Sequence, residues 1–558
     1  MRLCYNTIIQ LYVILISCNM LWGGNPEVSM ELGEVYGPNS IREGATAEFS
    51  ISPLRDVNVT YEWTCYPLDA GCFYPLDGPK TIFSAANVKK DTPVEIWALI
   101  TMERIGTVLK KRNITVTDSP GWVFSWENVE GTRIAVSSNG DIFFAGQFRS
   151  TVDFDPTQAV DEHIGAGELW DIFLSKFSGE GEYQWTKTWG GAGWDGEVAI
   201  ALDSSNNIYI TGLVSNNVDL DPGPRSEIHT CSGIWDMFLS KFNSQGEYQW
   251  GLTWGSPSIL LDGERVNDLA VDSYGNVLIV GNFKGRIDFD PGPKTDEHIA
   301  NGGTDVFLCE YDLNGKFNWV TTWGGQEDDY GTCVAVDARN DIYVGFNYQE
   351  NAFLRKCCMD GETLWVRSWG SPGQASVSDI AVDSGSRVYI SGTYEGEADF
   401  DPGPGISPGS WSGKADIFLS RFDANGDLVW VRAWGGNAYD WVSGMATDDI
   451  GNIYLGGYFE NIVDFDPGSI TNEKISNGDQ DAFILAINIS GDYIWSQTWG
   501  GNSDDCIITL STDYIGNIYA SGCFSGSVDF QIGSCHHIRQ ALQYQSDFLI
   551  KLPADSVL

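Results

Sequence analysis

Apolar and polar positions alternate in short runs along most of this chain, and the same four kinds of run keep returning. One kind precedes an acidic turn, as in Val198-Ala199-Ile200-Ala201-Leu202-Asp203. A second ends in glycine, as in Asn207-Ile208-Tyr209-Ile210-Thr211-Gly212, and is echoed by the runs at 452–457 and 517–522. The third is Asp171-Ile172-Phe173-Leu174, with equivalents opening at Asp236, Asp305, Asn351, Asp416, Asp481 and Asp547. The fourth carries Trp-x-x-x-Trp. Alternation of this period between Gly, Pro, Asn and Asp predicts strands. Residues four apart on a strand share one face, so each tryptophan pair points the same way.

The tryptophan pair occurs seven times: Trp122/Trp126, Trp185/Trp189, Trp250/Trp254, Trp319/Trp323, Trp365/Trp369, Trp430/Trp434 and Trp495/Trp499. The second tryptophans lie 63, 65, 69, 46, 65 and 65 residues apart, a length that suits a small four-stranded sheet with loops. Seven such sheets predict a seven-bladed β-propeller, with the tryptophans as core between neighbouring blades. The last copy stops at Leu552 without a tryptophan strand, whereas the segment holding Trp122 and Trp126 precedes the first complete unit. Pairing the two would close the ring by an end-strand, Velcro-type joint and remove exposed edges. Residues 119–558 are therefore read as propeller. Residues 19–118 carry period-two runs at 45–51, 59–63, 94–100 and 113–117 and are read as a β-sandwich. The expected class is all-β.

Composition narrows the function. With 76 acidic against 32 basic side chains the formal charge is -44, which argues against nucleic acid as a partner. A solvated acidic surface or Asp clusters that hold calcium would each account for the excess. Twelve cysteines include Cys4 and Cys18 near the N-terminus, and two pairs, Cys65 with Cys72 and Cys506 with Cys523, are spaced as candidate disulfides.

Several segments resemble known families. Arg2, the apolar run from 8 to 16 and Leu15-Ile16-Ser17-Cys18 resemble a bacterial lipoprotein signal occupying residues 1–18. That resemblance implies cleavage before Cys18, diacylglycerol on its thiol and export to the cell envelope, either lipid-anchored or, with an ordinary secretory leader, released. Residues 305–308, 312–319, 323–325, 270–276 and 288–292 are good copies of the SBBP-type β-propeller repeat, which the chain resembles from about residue 121 onward. The repeat implies an exported bacterial protein and no common activity. The N-terminal runs resemble Ig-like or PKD-like modules, which would serve as a spacer. Asp-x-x-Gly-x-x-x-Trp also resembles the tryptophan-docking repeats of quinoprotein dehydrogenases, with Cys357-Cys358 similar to their vicinal disulfide. Those enzymes use eight blades.

Candidate chemistry gathers on the long-loop end of the blades. Asp-x-Asp-Pro recurs five times, as Asp153 with Asp155, Asp219 with Asp221, Asp288 with Asp290, Asp399 with Asp401 and Asp464 with Asp466. Paired carboxylates on an extended segment suit an oxygen-ligated cation such as calcium, and Asp before Pro equally suits a rigid turn. Asp195, Asp329, Asp440 and Asp505 each follow the second tryptophan by six residues, where they would rim the central channel or cap the loop that starts a strand. His163, His229 and His298 each stand ten residues after the first Asp of their loop, so they belong to the repeat. The fourth repeat lacks this loop, and the resulting notch is either a docking place or a neutral deletion. No nucleophile elbow, zinc-protease helix or nucleotide loop is present. The expected function is non-catalytic: an exported surface propeller that binds a protein or carbohydrate ligand, tied to the membrane through its lipid. A quinoprotein-like dehydrogenase is the alternative.

Overall fold

The computed structural model describes residues 121–554, apart from 158, 258–262, 371, 410, 412, 467, 469–470, 514, 531–536 and 543–544. Earlier in the chain it describes the backbone of the strands between residues 35 and 117. Residues 1–18, including Cys18, and the side chains of Cys65 and Cys72 lie outside the described residues. The chain divides after Asp118 into two compact units.

The first unit has two four-stranded sheets. One joins Val35–Tyr36, Thr46–Ile51, Lys80–Ala85 and Gly71–Tyr74; the other joins Ser40–Arg42, Gly106–Thr117, Thr92–Met102 and Val59–Tyr66. Three of the four alternating runs read from the sequence fall within these strands, and the strand Thr46–Ile51 falls within the run at 45–51.

The second unit is a seven-bladed β-propeller. The third blade shows the plan: Glu264–Val271, Val277–Asp288, Glu297–Tyr311 and Phe317–Trp323 form one antiparallel sheet in chain order. Each first strand touches the first strand of the next blade, and Cys506–Thr512 of the seventh touches Val129–Val136 of the first. The seventh sheet takes its outer strand from the start of the unit, where Val123 pairs with Ile550 and Phe124 with Leu549.

Two tryptophan contacts join each blade to the next. The second ring of each pair fills the gap between sheets against the last residue of the neighbour's third strand: Trp189 on Phe242 at 5.3 Å, Trp254 on Tyr311 at 5.1 Å and Trp369 on Phe422 at 5.3 Å between centroids. The first ring lies over the neighbour's outer turn. A Cβ on Gly246 (φ 74°) would come within 2.7 Å of Trp185, and one on Gly361 (φ 78°) within 2.7 Å of Trp319. Glycine is needed there twice over, for the left-handed backbone and for the space the ring occupies. A basic side chain on the third strand reaches a carbonyl of the neighbour's outer turn, as Lys176 Nζ donates to Ser244 O at 3.2 Å and Lys241 Nζ to Leu313 O at 3.0 Å. The tight turns at this end close on Asp side chains: Asp272 Oδ1 accepts from the Tyr274 and Asn276 N–H groups at 2.8 Å each.

Trp254→Ala removes a ring that is 3% exposed and is expected to cost about 3–5 kcal/mol, as large-to-small core changes do. Trp323→Ala, at a half-buried position, is expected to cost clearly less. Calorimetric unfolding of the two variants checks the order; equal losses would contradict the wedge.

Candidate functional site

The second and third strands of blades two, three and six run past their sheet into a hairpin that carries Asp-x-Asp-Pro. The carboxylates of this motif close turns. Asp288 Oδ1 accepts from the Asp290 N–H at 3.1 Å and the Asp296 N–H at 2.8 Å, and Asp290 Oδ1 accepts from the Gly292 N–H at 2.8 Å. The first aspartates Asp153, Asp219, Asp399 and Asp464 repeat this double acceptance, each from the residues two and eight positions on.

The second aspartates take the turn role, one of the two that the motif suits. Asp155 Oδ1 accepts from the Thr157 N–H at 2.9 Å and Asp221 Oδ1 from the Gly223 N–H at 2.8 Å. Asp401 Oδ1 accepts from the Gly403 N–H and Asp466 Oδ1 from the Gly468 N–H, both at 2.7 Å. One oxygen of Asp155, Asp221, Asp401 and Asp466 is therefore committed to its own turn. Among the described residues, no three His, Cys, Asp or Glu side chains gather as metal ligands would, and a calcium ion needs six to eight oxygens. The spacing of two residues puts a pair of carboxylates on one loop, and the backbone donors of that loop take one oxygen of each.

The residue between each pair, Phe154, Leu220, Phe289, Phe400 or Phe465, is fully buried. It packs in the same cluster as the preceding blade's second tryptophan, as Phe289 does with Trp254 and Phe465 with Trp434. The loop is thus a lid on the wedge. The histidines pin its hairpin to the fourth strand: His163 Nδ1 lies 2.8 Å from Thr188 Oγ1, and His298 Nδ1 lies 2.8 Å from Thr322 Oγ1.

Blade four lacks the lid. Tyr348 pairs directly with Asn351 across Gln349 (φ 48°) and Glu350 (φ 62°), a two-residue turn with the positive dihedrals that twisted hairpins favour. Trp323 is left half-buried, and the Arg355 guanidinium stacks 4.1 Å from its ring. Cys357 fills the place that Phe242 holds in blade two and is buried in the wedge. It and Cys358 are separate thiols. In blade seven the candidate disulfide partners Cys506 and Cys523 are register partners on the first and second strands, with Sγ atoms 2.6 Å apart.

Asp195, Asp329, Asp440 and Asp505 are at most 1% exposed, so they do not rim the channel. Each Oδ2 accepts the N–H of the second glycine of its Trp-Gly-Gly segment: Gly191, Gly325 and Gly436 at 2.6 Å, Gly501 at 2.7 Å. Asp195 Oδ1 also accepts from the Ser215 N–H at 2.8 Å and Asp505 Oδ1 from the Ser525 N–H at 3.0 Å, which ties the loop between blades to the following sheet. A second buried carboxyl faces each of them from the head of a third strand: Asp171, Asp305, Asp416 and Asp481. Burial, helped by the neighbouring negative charge, pushes Asp195, Asp329 and Asp505 up to about 6 and Asp440 to about 7. The third-strand aspartates open their strands in the sequence, and nothing in that pattern announces this pairing.

The channel itself is where the blades differ. Every first strand carries a β-bulge in equivalent register, and the residue that resumes pairing is Arg133, Ala199, Asp268, Cys333, Asp379, Gly444 or Thr509 in blades one to seven. Three residues earlier, toward the long-loop end, stand Glu130, Gly196, Arg265, Tyr330, Ser376, Trp441 and Cys506. Aspartate recurs at the first of these positions, as Asp268 and Asp379, and no residue type repeats at the second. A cavity of about 1000 Å³ opens here, walled by Trp194, Trp235, Tyr330 and Trp441 with Asn267, Asn282, Asn347 and several hydroxyls. Trp194 and Trp235 meet edge to face at 5.8 Å. The charged lining is balanced, Arg133, Arg265 and Lys284 against Glu197, Glu264 and Asp328, and Arg265 pairs with Glu197 at 2.9 Å. Among the described residues Arg133 has no ion pair; its Nη1 donates to Thr132 O at 3.2 Å. Asp268 and Asp379 accept from backbone N–H groups of the next blade, Val334 at 2.9 Å and Met445 at 2.6 Å. Burial raises these two carboxyls to about 6 and about 7. The residues of this cavity follow no motif, so sequence reasoning misses it. The one signal is the departure of each first strand from its copies.

Carboxyls raised from near 4 to 6 or 7 mean that the folded chain holds protons that the unfolded chain has released. Their contribution to stability is therefore fully present below about pH 4 and is lost as pH rises from there through 6 to 7. The unfolding midpoint is expected to be higher at pH 5 than at pH 7.5, with Asp440→Asn flattening the slope; a midpoint that rises with pH would contradict the assignment. Calcium tested against magnesium after chelation is expected to leave the midpoint unchanged, because one oxygen of each Asp-x-Asp-Pro carboxylate already serves backbone donors and no cluster of ligands forms among the described residues. A rise with calcium alone would show ion binding by the native state.

No protein-family model matches the chain. It is 24% identical over 459 residues to an uncharacterized WD repeat-containing protein of Acanthamoeba polyphaga mimivirus, covering 72% of this chain and 30% of that one. It is also 24% identical over 266 residues to the regulatory protein FlaEY of Caulobacter vibrioides, covering 46% and 24%. The chain thus spans less than a third of the length of these curated relatives. Among solved structures, a Lactobacillus plantarum protein matches with TM-score 0.33 and 9% identity, covering 79% of this chain and 96% of that one. NanB sialidase of Streptococcus pneumoniae matches with TM-score 0.33 and 8% identity, covering 92% and 95%. The chain is a seven-bladed β-propeller with a WD-repeat protein among its relatives.

Proposed function

We propose that this chain is an exported, non-catalytic binding protein of the bacterial cell envelope, an SBBP-type propeller that presents its channel mouth as the ligand site. In this reading residues 1–18 are the leader, and Cys18 carries the lipid that holds the chain at the membrane. The unit at 19–118 is an Ig-like spacer, and the strand Trp122–Trp126 closes the ring Velcro-fashion. The observation that carries the binding role is the contrast between repetition and divergence. Wedge, lid and turn residues recur from blade to blade, whereas the mouth residues Arg265, Tyr330, Ser376 and Trp441 occupy one repeat position with four different chemistries. A ring of identical blades needs no such variety for stability. The alternating Glu and Arg charges, the neutral amides and the exposed aromatic rings suit recognition by contact.

Two measurements test the reading. In a bacterial host, the full chain with its own leader is expected to take up labelled palmitate and partition with membranes, and Cys18→Ala is expected to abolish both; an unlabelled cytosolic chain would overturn export and anchoring. Binding of the purified chain to the producing cell's envelope fraction is expected to weaken about tenfold in Trp441→Ala. Tyr274→Ala, at an exposed turn on the opposite end, is expected to bind as wild type. Equal loss in both variants, or none in either, would place the ligand elsewhere.

A further inference from the structure

The lining of the channel mouth also specifies a ligand class, and this step rests on the mouth being a binding site. We propose that the mouth takes a neutral saccharide. Its aromatic rings are presented to solvent: Trp441 is 39% and Tyr330 46% exposed, on blades six and four of one cavity that the Trp194–Trp235 pair also lines. Flat rings of this kind offer apolar faces with polar edges, and a sugar ring likewise presents an apolar C–H face and a hydroxylated rim. Between the rings the lining is donor and acceptor together. Asn267 and Asn282 form one amide pair, with Asn267 Nδ2 donating to Asn282 Oδ1 at 3.0 Å, which leaves the Asn282 amide donors and the Asn267 carbonyl outside that bond. Ser378 Oγ is buried in the lining without a hydrogen-bond partner. A hydroxyl, which donates once and accepts twice, matches such a surface better than a group that only donates or only accepts.

Charge points the same way. The chain as a whole has 76 acidic against 32 basic side chains, a field that repels anions. The mouth, with three groups of each sign and Arg265 already bound to Glu197, offers neither net sign to an ionic ligand. Arg133 on the first blade lines the same cavity and supplies guanidinium donors for hydroxyl oxygens. A cavity of about 1000 Å³ stands at the upper end of the range for small-molecule sites, which suits a short run of sugar units entering along the channel axis.

The test is titration calorimetry of the full chain with linear neutral hexasaccharides of glucose, mannose, xylose and N-acetylglucosamine, with polygalacturonate and a random heptapeptide library as competing classes. At least one neutral hexasaccharide is expected to bind. Trp441→Ala and Tyr330→Ala are each expected to weaken it about tenfold, Trp441→Phe much less, and all three variants are expected to keep the wild-type unfolding midpoint. Saccharide binding indifferent to these substitutions would overturn the proposal. So would binding of polygalacturonate or peptide in place of every neutral sugar. If no saccharide binds while Trp441→Ala still abolishes capture of the envelope fraction, the mouth remains the ligand site and the saccharide assignment falls. If neither occurs, both fall.

Discussion

The gap between two neighbouring sheets is narrow at the channel and wide at the rim, and the filling of that gap governs the rest of the molecule. Near the axis there is room for little more than backbone. A Cβ on Gly456 of the sixth blade's second strand would come within 2.6 Å of Ile507 on the seventh blade's first strand. At the rim the same gap admits two indole rings per blade. Outer strands therefore carry tryptophan and second strands carry glycine, and a chain with this gradient of side-chain volume closes into a ring rather than stacking flat. The tryptophans also explain the glycines of the outer turns, since Trp122, Trp185, Trp250, Trp319 and Trp365 each lie over a neighbour's turn where a Cβ would collide with the ring.

The opposite end of the gap is sealed differently. There the lids of blades other than the fourth insert an aromatic or leucine side chain over the wedge, and buried aspartates tie the loop between blades to the next sheet. Burying two carboxyls side by side is unfavourable for their charged forms, and the backbone N–H groups of Gly191, Gly325, Gly436 and Gly501 offset part of that cost. The result is a fold whose hydrophobic contacts are indifferent to pH while its loop anchors are not. Acidic surface charge works in the same direction, because self-repulsion also grows as carboxyls ionise.

Strand identity, the number of blades and the outer placement of the tryptophans were legible in the sequence because each depends on a side chain repeated at fixed spacing. The turn role of Asp288 and Asp290, and of Asp155, Asp221, Asp401 and Asp466 in the other lids, was legible as one of two readings, since Asp before Pro is a local signal. What spacing alone does not show is that neighbouring N–H groups occupy these carboxylates. For Asp195 and its equivalents, spacing from Trp189 showed that they belong to the repeat and left the channel rim and the capping of a loop both open, because it does not show which way the loop folds back. Their partners, such as Asp171 and Asp305, come from another part of the blade, so no local pattern could report the pairing. The channel mouth was least legible. Residues such as Arg265, Tyr330 and Trp441 meet across the ring from positions that share no sequence motif.

Blade four separates structural from functional roles within the chain itself. Its lid is missing, and the consequence is confined to the wedge: Trp323 is half-buried, Arg355 covers its face, and Cys357 stands where a phenylalanine would be. Such substitution of one wedge filler by another is what a purely structural element permits. At the channel mouth nothing substitutes for anything else, because the seven equivalent positions hold Glu130, Gly196, Arg265, Tyr330, Ser376, Trp441 and Cys506 in no common role. The fold tolerates this variety because first-strand side chains aimed down the channel touch no wedge. Positions released from packing in this way are where a repeated architecture can acquire a single, asymmetric binding surface.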